Sequence, residues 1–190
     1  LIIFDQYSLT GILPPKYLVN ITNYVEKGGA LLVASGPSYA SNYSLFRSPL
    51  KSILPTIPTG KVINKSFTPQ LTNLGKRHPV TNTIMDKYTK NNLGKWYRYI
   101  ETKKVEGQTL LETDDNKSLL ILNKVKKGRV AQLLSDHSWV WSRSYLNQGP
   151  QVELLRKTIH WLLKEPELQE ENLFINVHDS RIKITKNSLE

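Results

Sequence analysis

The chain has 190 residues and a formal net charge of +10, with 26 Lys and Arg against 16 Asp and Glu and no cysteine. That length suits one well-cored domain with an appendage and is short for two. Without cysteine there is no disulfide, no thiolate metal site and no cysteine nucleophile; the excess of positive charge is spread along the chain without a recognised nucleic-acid module, so nucleic acid is not the expected partner.

The first element is LIIFD, residues 1–5, an apolar run ending in a carboxylate, which predicts a strand buried on both faces as in a parallel sheet. It begins on Leu1 rather than Met, and no signal peptide or bilayer-spanning run accompanies it. The expectation is therefore a piece of a longer protein whose membrane or targeting segments lie outside it. Pro14 and Pro15 then suit a helix start, Leu18, Ile21 and Val25 recur at helical spacing, and Gly28 or Gly29 supplies a left-handed stop. ALLVAS, residues 30–35, is a second buried strand, which completes a βαβ unit.

Residues 36–58 are proline-rich and aperiodic, with short helical turns expected near 41–47 and 49–54. GKVINKSF reads as a strand and LGKRHPVTNTI as a loop. Four further strands are expected at KWYRYIE, TLLET, SLLILNKV and GRVAQLLS, with hairpin turns at DDNK and KKG. An aromatic loop, residues 136–149, leads to a helix that starts at Pro150 and ends before Pro166, with Val152, Leu155, Ile159, Leu162 and Leu163 on one face. The acidic EPELQEEN reads as a solvated linker, followed by a β-hairpin at NLFINVH and RIKITK.

Residues 1–36, LIIFDQYSLTGILPPKYLVNITNYVEKGGALLVASG, resemble the segment of class I glutamine amidotransferase-like domains, and of their trehalose-utilisation (ThuA-like) branch, in which strand, helix and Gly-Gly turn lead to the strand bearing the functional elbow. HPVTNTI is similar to the His-Pro-(Val/Ile)-Thr stretch of that branch. KGRVAQLLSDH with LLRKTIHWLL is similar to its closing strand, histidine loop and terminal helix. The resemblance covers most of residues 1–166. It implies a three-layer, flavodoxin-like α/β domain with a mainly parallel sheet, lacking the strand and helix that would normally precede residues 1–5. It also implies a parent among large bacterial membrane-anchored proteins, with residues 167–190 as linker and β appendage.

The amidotransferase reaction needs a Cys thiolate on a strained turn, a His to activate it and a carboxylate behind the His. No cysteine exists here. Carried over by position, the elbow holds Gly36, Pro37 and Ser38, and the histidine loop holds Asp136 and His137. G-P-S-Y-A comes close to the serine-hydrolase elbow, but Pro37 withholds a backbone N–H and no sustained helix follows. Ser38, His137 and Asp136 are therefore weak catalytic candidates. Trp139, Trp141, Arg143 and Tyr145 form a candidate ligand or partner surface, the rival reading being an aromatic lid on the core. His78, His160 and His178 are not spaced as metal ligands, DDNKS lacks the glycine and terminal Glu of a calcium loop, and no pattern asks for a cofactor.

The expected function is a non-catalytic binding or scaffolding domain whose partner is the rest of a membrane-associated parent, or another protein. Self-association through the outer edge of the first strand is a further expectation. A hydrolase using Ser38 and His137, and a carbohydrate- or nucleotide-binding module, are the two rivals.

Overall fold

The computed structural model describes residues 1–84, 93–143, 149–178 and 181–187. Its centre is a six-stranded sheet with the order β1 (Ile2–Asp5), β2 (Ala30–Ala34), β8 (Gly128–Leu133), β7 (Ser118–Val125), β6 (Gln108–Glu112) and β4 (Gln70–Leu71). Strands β1, β2 and β8 run parallel, whereas the β8–β7, β7–β6 and β6–β4 junctions are antiparallel. The sheet is thus mixed rather than mainly parallel. The turns at DDNK and KKG are too short for the crossover that a parallel pair requires. β3 (Thr56–Ile63) and β5 (Tyr99–Lys104) form a separate antiparallel pair. It is tied to the main sheet by Ile100 N–H donating to the Leu134 carbonyl at 2.8 Å.

Helix α1, Pro15–Glu26, starts with proline in its first turn and stops at Gly28, whose φ of +121° few other residues could adopt. It buries Leu18, Thr22 and Val25 against one face of the sheet. That face contributes Leu31, Val33, Ile121 and Val130, and the 3-10 turns Pro37–Ala40, Leu45–Arg47 and Pro49–Ser52 close over the same core. The opposite face, with Ala30, Leu32, Leu120, Leu122, Ala131 and Leu133, packs on helix α2, Gln151–Leu162. This is a three-layer α/β arrangement built on the alternation of side chains along β2, β7 and β8. No described helix is long and apolar enough to cross a membrane.

For β1 and α2 the expected burial fails. β1 is an edge strand, and Ile3 is 51% exposed although Phe4 is buried. Helix α2 is rotated from the face its apolar spacing suggested, since Val152 is 75% exposed and the buried stripe is Leu154, Thr158, Trp161 and Leu162. The reason is Arg129 on β8, which donates to the Trp161 carbonyl and lays its guanidinium 4.6 Å from the centre of that indole. A fully buried indole stacked on a buried cation outweighs the burial of a valine. β9 (Asn172–His178) and β10 (Arg181–Asn187) form the expected hairpin, with Ile175 opposite Ile184.

Candidate functional site

Because β1, β2 and β8 are parallel, the segments that leave their C-terminal ends gather at one end of the sheet, where ligands of open α/β sheets usually bind. After β1, Gln6 takes φ +48° and donates its N–H to the Ala34 carbonyl at 2.8 Å. Its side chain lies against Gly36, where an added Cβ would meet Gln6 Cγ at 3.0 Å. Gly36 therefore serves close packing of two chain segments, and the 3-10 turn Pro37–Ala40 follows it.

Ser38 sits on that turn, half-buried, and its Oγ donates to the Tyr7 carbonyl at 3.3 Å. Among the described residues no hydrogen bond joins it to a histidine. Beneath the turn lies a buried polar chain that periodicity could not reveal. Tyr39 OH donates to the Thr56 carbonyl at 2.7 Å, Thr56 Oγ1 donates to Gln132 Oε1 at 2.8 Å, and Gln132 Nε2 donates to Ser35 Oγ at 3.2 Å. Burial raises the Tyr39 pKa, opposed by its hydrogen bonds to Thr56 and Gln132, so the phenol stays a donor. Gln132 is fully buried in an apolar face of the sheet, and losing one of its partners would cost about 1–3 kcal/mol.

After β8 the chain reaches Ser135, whose Oγ donates to the Arg98 carbonyl at 2.6 Å and accepts from His137 N–H at 3.1 Å. Asp136 is buried and gripped by Arg98, whose Nε donates to Oδ1 at 3.0 Å while Nη2 donates to Oδ2. That fork-to-carboxylate pair occupies both oxygens. Asp136 Oδ1 stands 4.0 Å from His137 Nε2, beyond hydrogen-bond reach, and His137 Nδ1 is buried with no partner among the described residues. Burial lowers the His137 pKa, Arg98 lowers it further and Asp136 opposes them, leaving a neutral imidazole. Ser38, His137 and Asp136 are therefore brought to one end of the sheet but not into a hydrogen-bonded relay.

The aromatic loop divides. On the 3-10 turn Ser138–Ser142, Trp141 is 1% exposed, donates its Nε1 to the Gly94 carbonyl at 2.6 Å and packs on Trp96 at 4.7 Å between ring centres. Trp141 is thus a lid over the core. Trp139 is 46% exposed, with the Arg143 guanidinium 5.7 Å from its ring centre. His137 lies 6.3 Å from Trp139 and 6.4 Å from Tyr97, which is itself exposed. The exposed surface is therefore Tyr97, Trp139 and Arg143, with the half-buried His137 between the two rings. Tyr145 lies outside the described residues. Tyr97 and Arg98 lie in KWYRYIE, whose mixture of aromatic and basic residues reads from the sequence as a strand covering the core, because nothing local links them to residues 40 and 38 positions further along the chain.

No family model matches the chain, and no curated protein matches it. Among solved structures, it is similar to the cytoplasmic protein STM3548 from Salmonella typhimurium, with TM-score 0.68, 16% identity, and cover of 85% of this chain and 71% of that one. It is similar also to the cytoplasmic protein STM1381 from Salmonella typhimurium LT2, with TM-score 0.68, 18% identity, and cover of 84% and 70%. The shared property is the fold.

A second polar cluster occupies the opposite end of the sheet, near the start of β8. The segment expected to be a solvated linker instead buries Glu170, which is 5% exposed. Glu170 accepts from His78 Nε2 at 3.2 Å and pairs with Lys124. Val80 N–H donates to His78 Nδ1 at 3.1 Å, so the ring proton sits on Nε2 and points at Glu170. Burial raises the Glu170 pKa, but His78 and Lys124 outweigh it and bring the carboxyl down to about 2. The His-Pro-Val-Thr stretch thus anchors the strap that leads to β9.

Proposed function

We propose that this chain is a non-catalytic binding domain of the amidotransferase-like, flavodoxin-like kind, working inside a larger membrane-associated protein. One observation carries the non-catalytic reading: Asp136, the carboxylate next to His137, is held by Arg98 with its Oδ1 4.0 Å from His137 Nε2, beyond the hydrogen-bond reach needed to orient the ring. Together with the missing cysteine, this leaves neither a thiolate nor an assembled serine relay. The binding reading rests on Trp139, an exposed indole beside a cation, with Tyr97 and His137 flanking it. Exposed aromatics with an arginine are the residue types that dominate protein interfaces.

The partner in this reading is the rest of the parent protein or a second protein that meets the Trp139 surface. A photo-crosslinking residue placed at Trp139 in the full-length protein, expressed in its membrane, tests it. A discrete crosslinked product that disappears with Arg143→Ala supports the reading. The same product unaffected by Arg143→Ala, or no product at all, overturns the binding surface. Hydrolysis of p-nitrophenyl acetate that is lost in Ser38→Ala would overturn the non-catalytic reading. A full reading frame without any hydrophobic span of about 20 residues would overturn the helical membrane attachment.

A further inference from the structure

We propose that a groove of about 800 Å³, between the 3-10 turns that follow β2 and the strand β3, docks an acidic peptide segment that also carries apolar side chains. Arg47 and Lys51 line it, together with Phe46, Ile57, Pro58 and Gly60. It shares no residue with the Trp139 surface and does not depend on the function proposed for that surface.

Arg47 and Lys51 stand on the turns Leu45–Arg47 and Pro49–Ser52, which Leu45 and Leu50 anchor in the core. Ser44 and Ser48 cap these turns by accepting from Phe46 N–H and Leu50 N–H, each at 3.2 Å. Both cations are exposed, and among the described residues no carboxylate pairs with either. The sequence explains why, since residues 27–85 contain no Asp or Glu. Glu101, on β5, already accepts from Thr59 Oγ1 at 2.9 Å and pairs with Lys61 and Lys117 at 3.9 and 3.7 Å. Carboxylates brought by a partner therefore meet two cations with no competing counter-charge.

The backbone beside these cations suits a peptide. The register of β3 with β5 breaks between Pro58 and Val62, so Thr59, Gly60 and Lys61 fall outside the ladder. Gly60 is exposed with φ +87°, and the nearest atom to an added Cβ, the Ala40 carbonyl oxygen, would be 3.9 Å away. This stretch of main chain is open to a second chain, and peptide recognition of this kind takes affinity from main-chain bonds and selectivity from side-chain recesses. An apolar side chain between the carboxylates covers Ile57, which is 40% exposed, and Pro58. A water takes about 30 Å³, so an inorganic anion a few times larger would leave most of the groove empty. Nucleic acid is disfavoured, because the ring that lines the groove, Phe46, is half-buried and offers no open face for a base.

The probe is the amidated peptide Glu-Leu-Glu-Leu-Glu with an uncharged dye, titrated with the whole chain at low salt and followed by fluorescence polarisation. Its binding should saturate and be about tenfold tighter than that of Gln-Leu-Gln-Leu-Gln, which lacks the charges, or Glu-Ser-Glu-Ser-Glu, which lacks the apolar side chains. Arg47→Gln with Lys51→Gln should weaken the acidic peptide about tenfold. Lys27→Gln with Lys127→Gln removes equal charge from the stop of α1 and the β7–β8 turn and should leave binding unchanged. No saturable binding, equal binding of the three peptides, or equal losses in the two double variants overturns the proposal. Inorganic phosphate, an oligodeoxythymidine or phosphatidylserine vesicles that bind more tightly than the peptide, with the same need for Arg47 and Lys51, would overturn it in favour of that ligand. Should the Arg47 and Lys51 variant not fold, the Gly60 amide resonance of the unaltered chain decides: the acidic peptide should shift it saturably, and an unmoved resonance overturns the site.

Discussion

Glu170 Oε1 lies 3.2 Å from His78 Nε2, although the two residues are 92 positions apart in the chain. This contact converts an acidic strap into part of the domain, since the same carboxylate also takes Lys124 on β7. Its pKa of about 2, against an unfolded value near 4.5, makes the contact a pH-dependent source of stability. The contribution is present above about pH 4.5 and is lost as pH falls through about 2, because the unfolded chain takes up the proton first. A depression of this size corresponds to about 3 kcal/mol at neutral pH. Glu170→Gln should therefore lose stability at pH 7 and differ little from the parent sequence near pH 2. Urea unfolding of both proteins between pH 2 and 7 measures it, and parallel curves would refute the assignment.

His137 should titrate below the ordinary histidine range, as burial and the Arg98 charge dictate. The imidazole C–H resonances read its midpoint directly. Removing the cation in Arg98→Ala frees the Asp136 carboxylate, so the midpoint should move upward. For stability the sign is fixed by the depressed folded value. The contribution is complete above about pH 6.5 and declines as pH falls below it, where the unfolded chain binds the proton more readily. A midpoint that stays put in Arg98→Ala would mean that Arg98 does not shape this site.

Trp139 and Trp141 are neighbours in sequence with opposite roles. Trp141→Ala removes a buried indole, its bond to Gly94 and its packing on Trp96, and should cost about 3–5 kcal/mol. Trp139→Ala should change stability by less than about 1 kcal/mol, as exposed substitutions do. Acrylamide quenching gives an independent reading. Trp139 should account for the quenchable emission, which Trp139→Phe abolishes.

The outer edge of β1 has no described neighbour, and Ile3 on it is exposed. An unpaired apolar edge recruits other strands. Sedimentation should show concentration-dependent association that Ile3→Lys suppresses, because a lysine on an edge strand opposes pairing. A monomer across the soluble range, with or without Ile3→Lys, would remove self-association from the picture.

The amino-acid sequence alone determined what is local. Strand, helix and strand over the first 34 residues, the three hairpins and the helix after Pro150 follow from alternation, helical spacing and the torsional demands of proline and glycine. Close hairpins also implied antiparallel neighbours, against the mainly parallel sheet suggested by resemblance. Tertiary structure decided everything that joins distant segments. Which stripe of α2 is buried depended on Arg129 meeting Trp161, for a helix with apolar residues on more than one side has no unique inner face until it meets its neighbour. The bond from Arg98 to Asp136, the burial of Glu170 by His78 and Lys124, and the Tyr39–Thr56–Gln132–Ser35 chain join residues that no spacing rule connects. Charged and polar side chains carry no periodic signature of their partners. Their environment, and with it their pKa and their chemistry, exists only once the chain has folded.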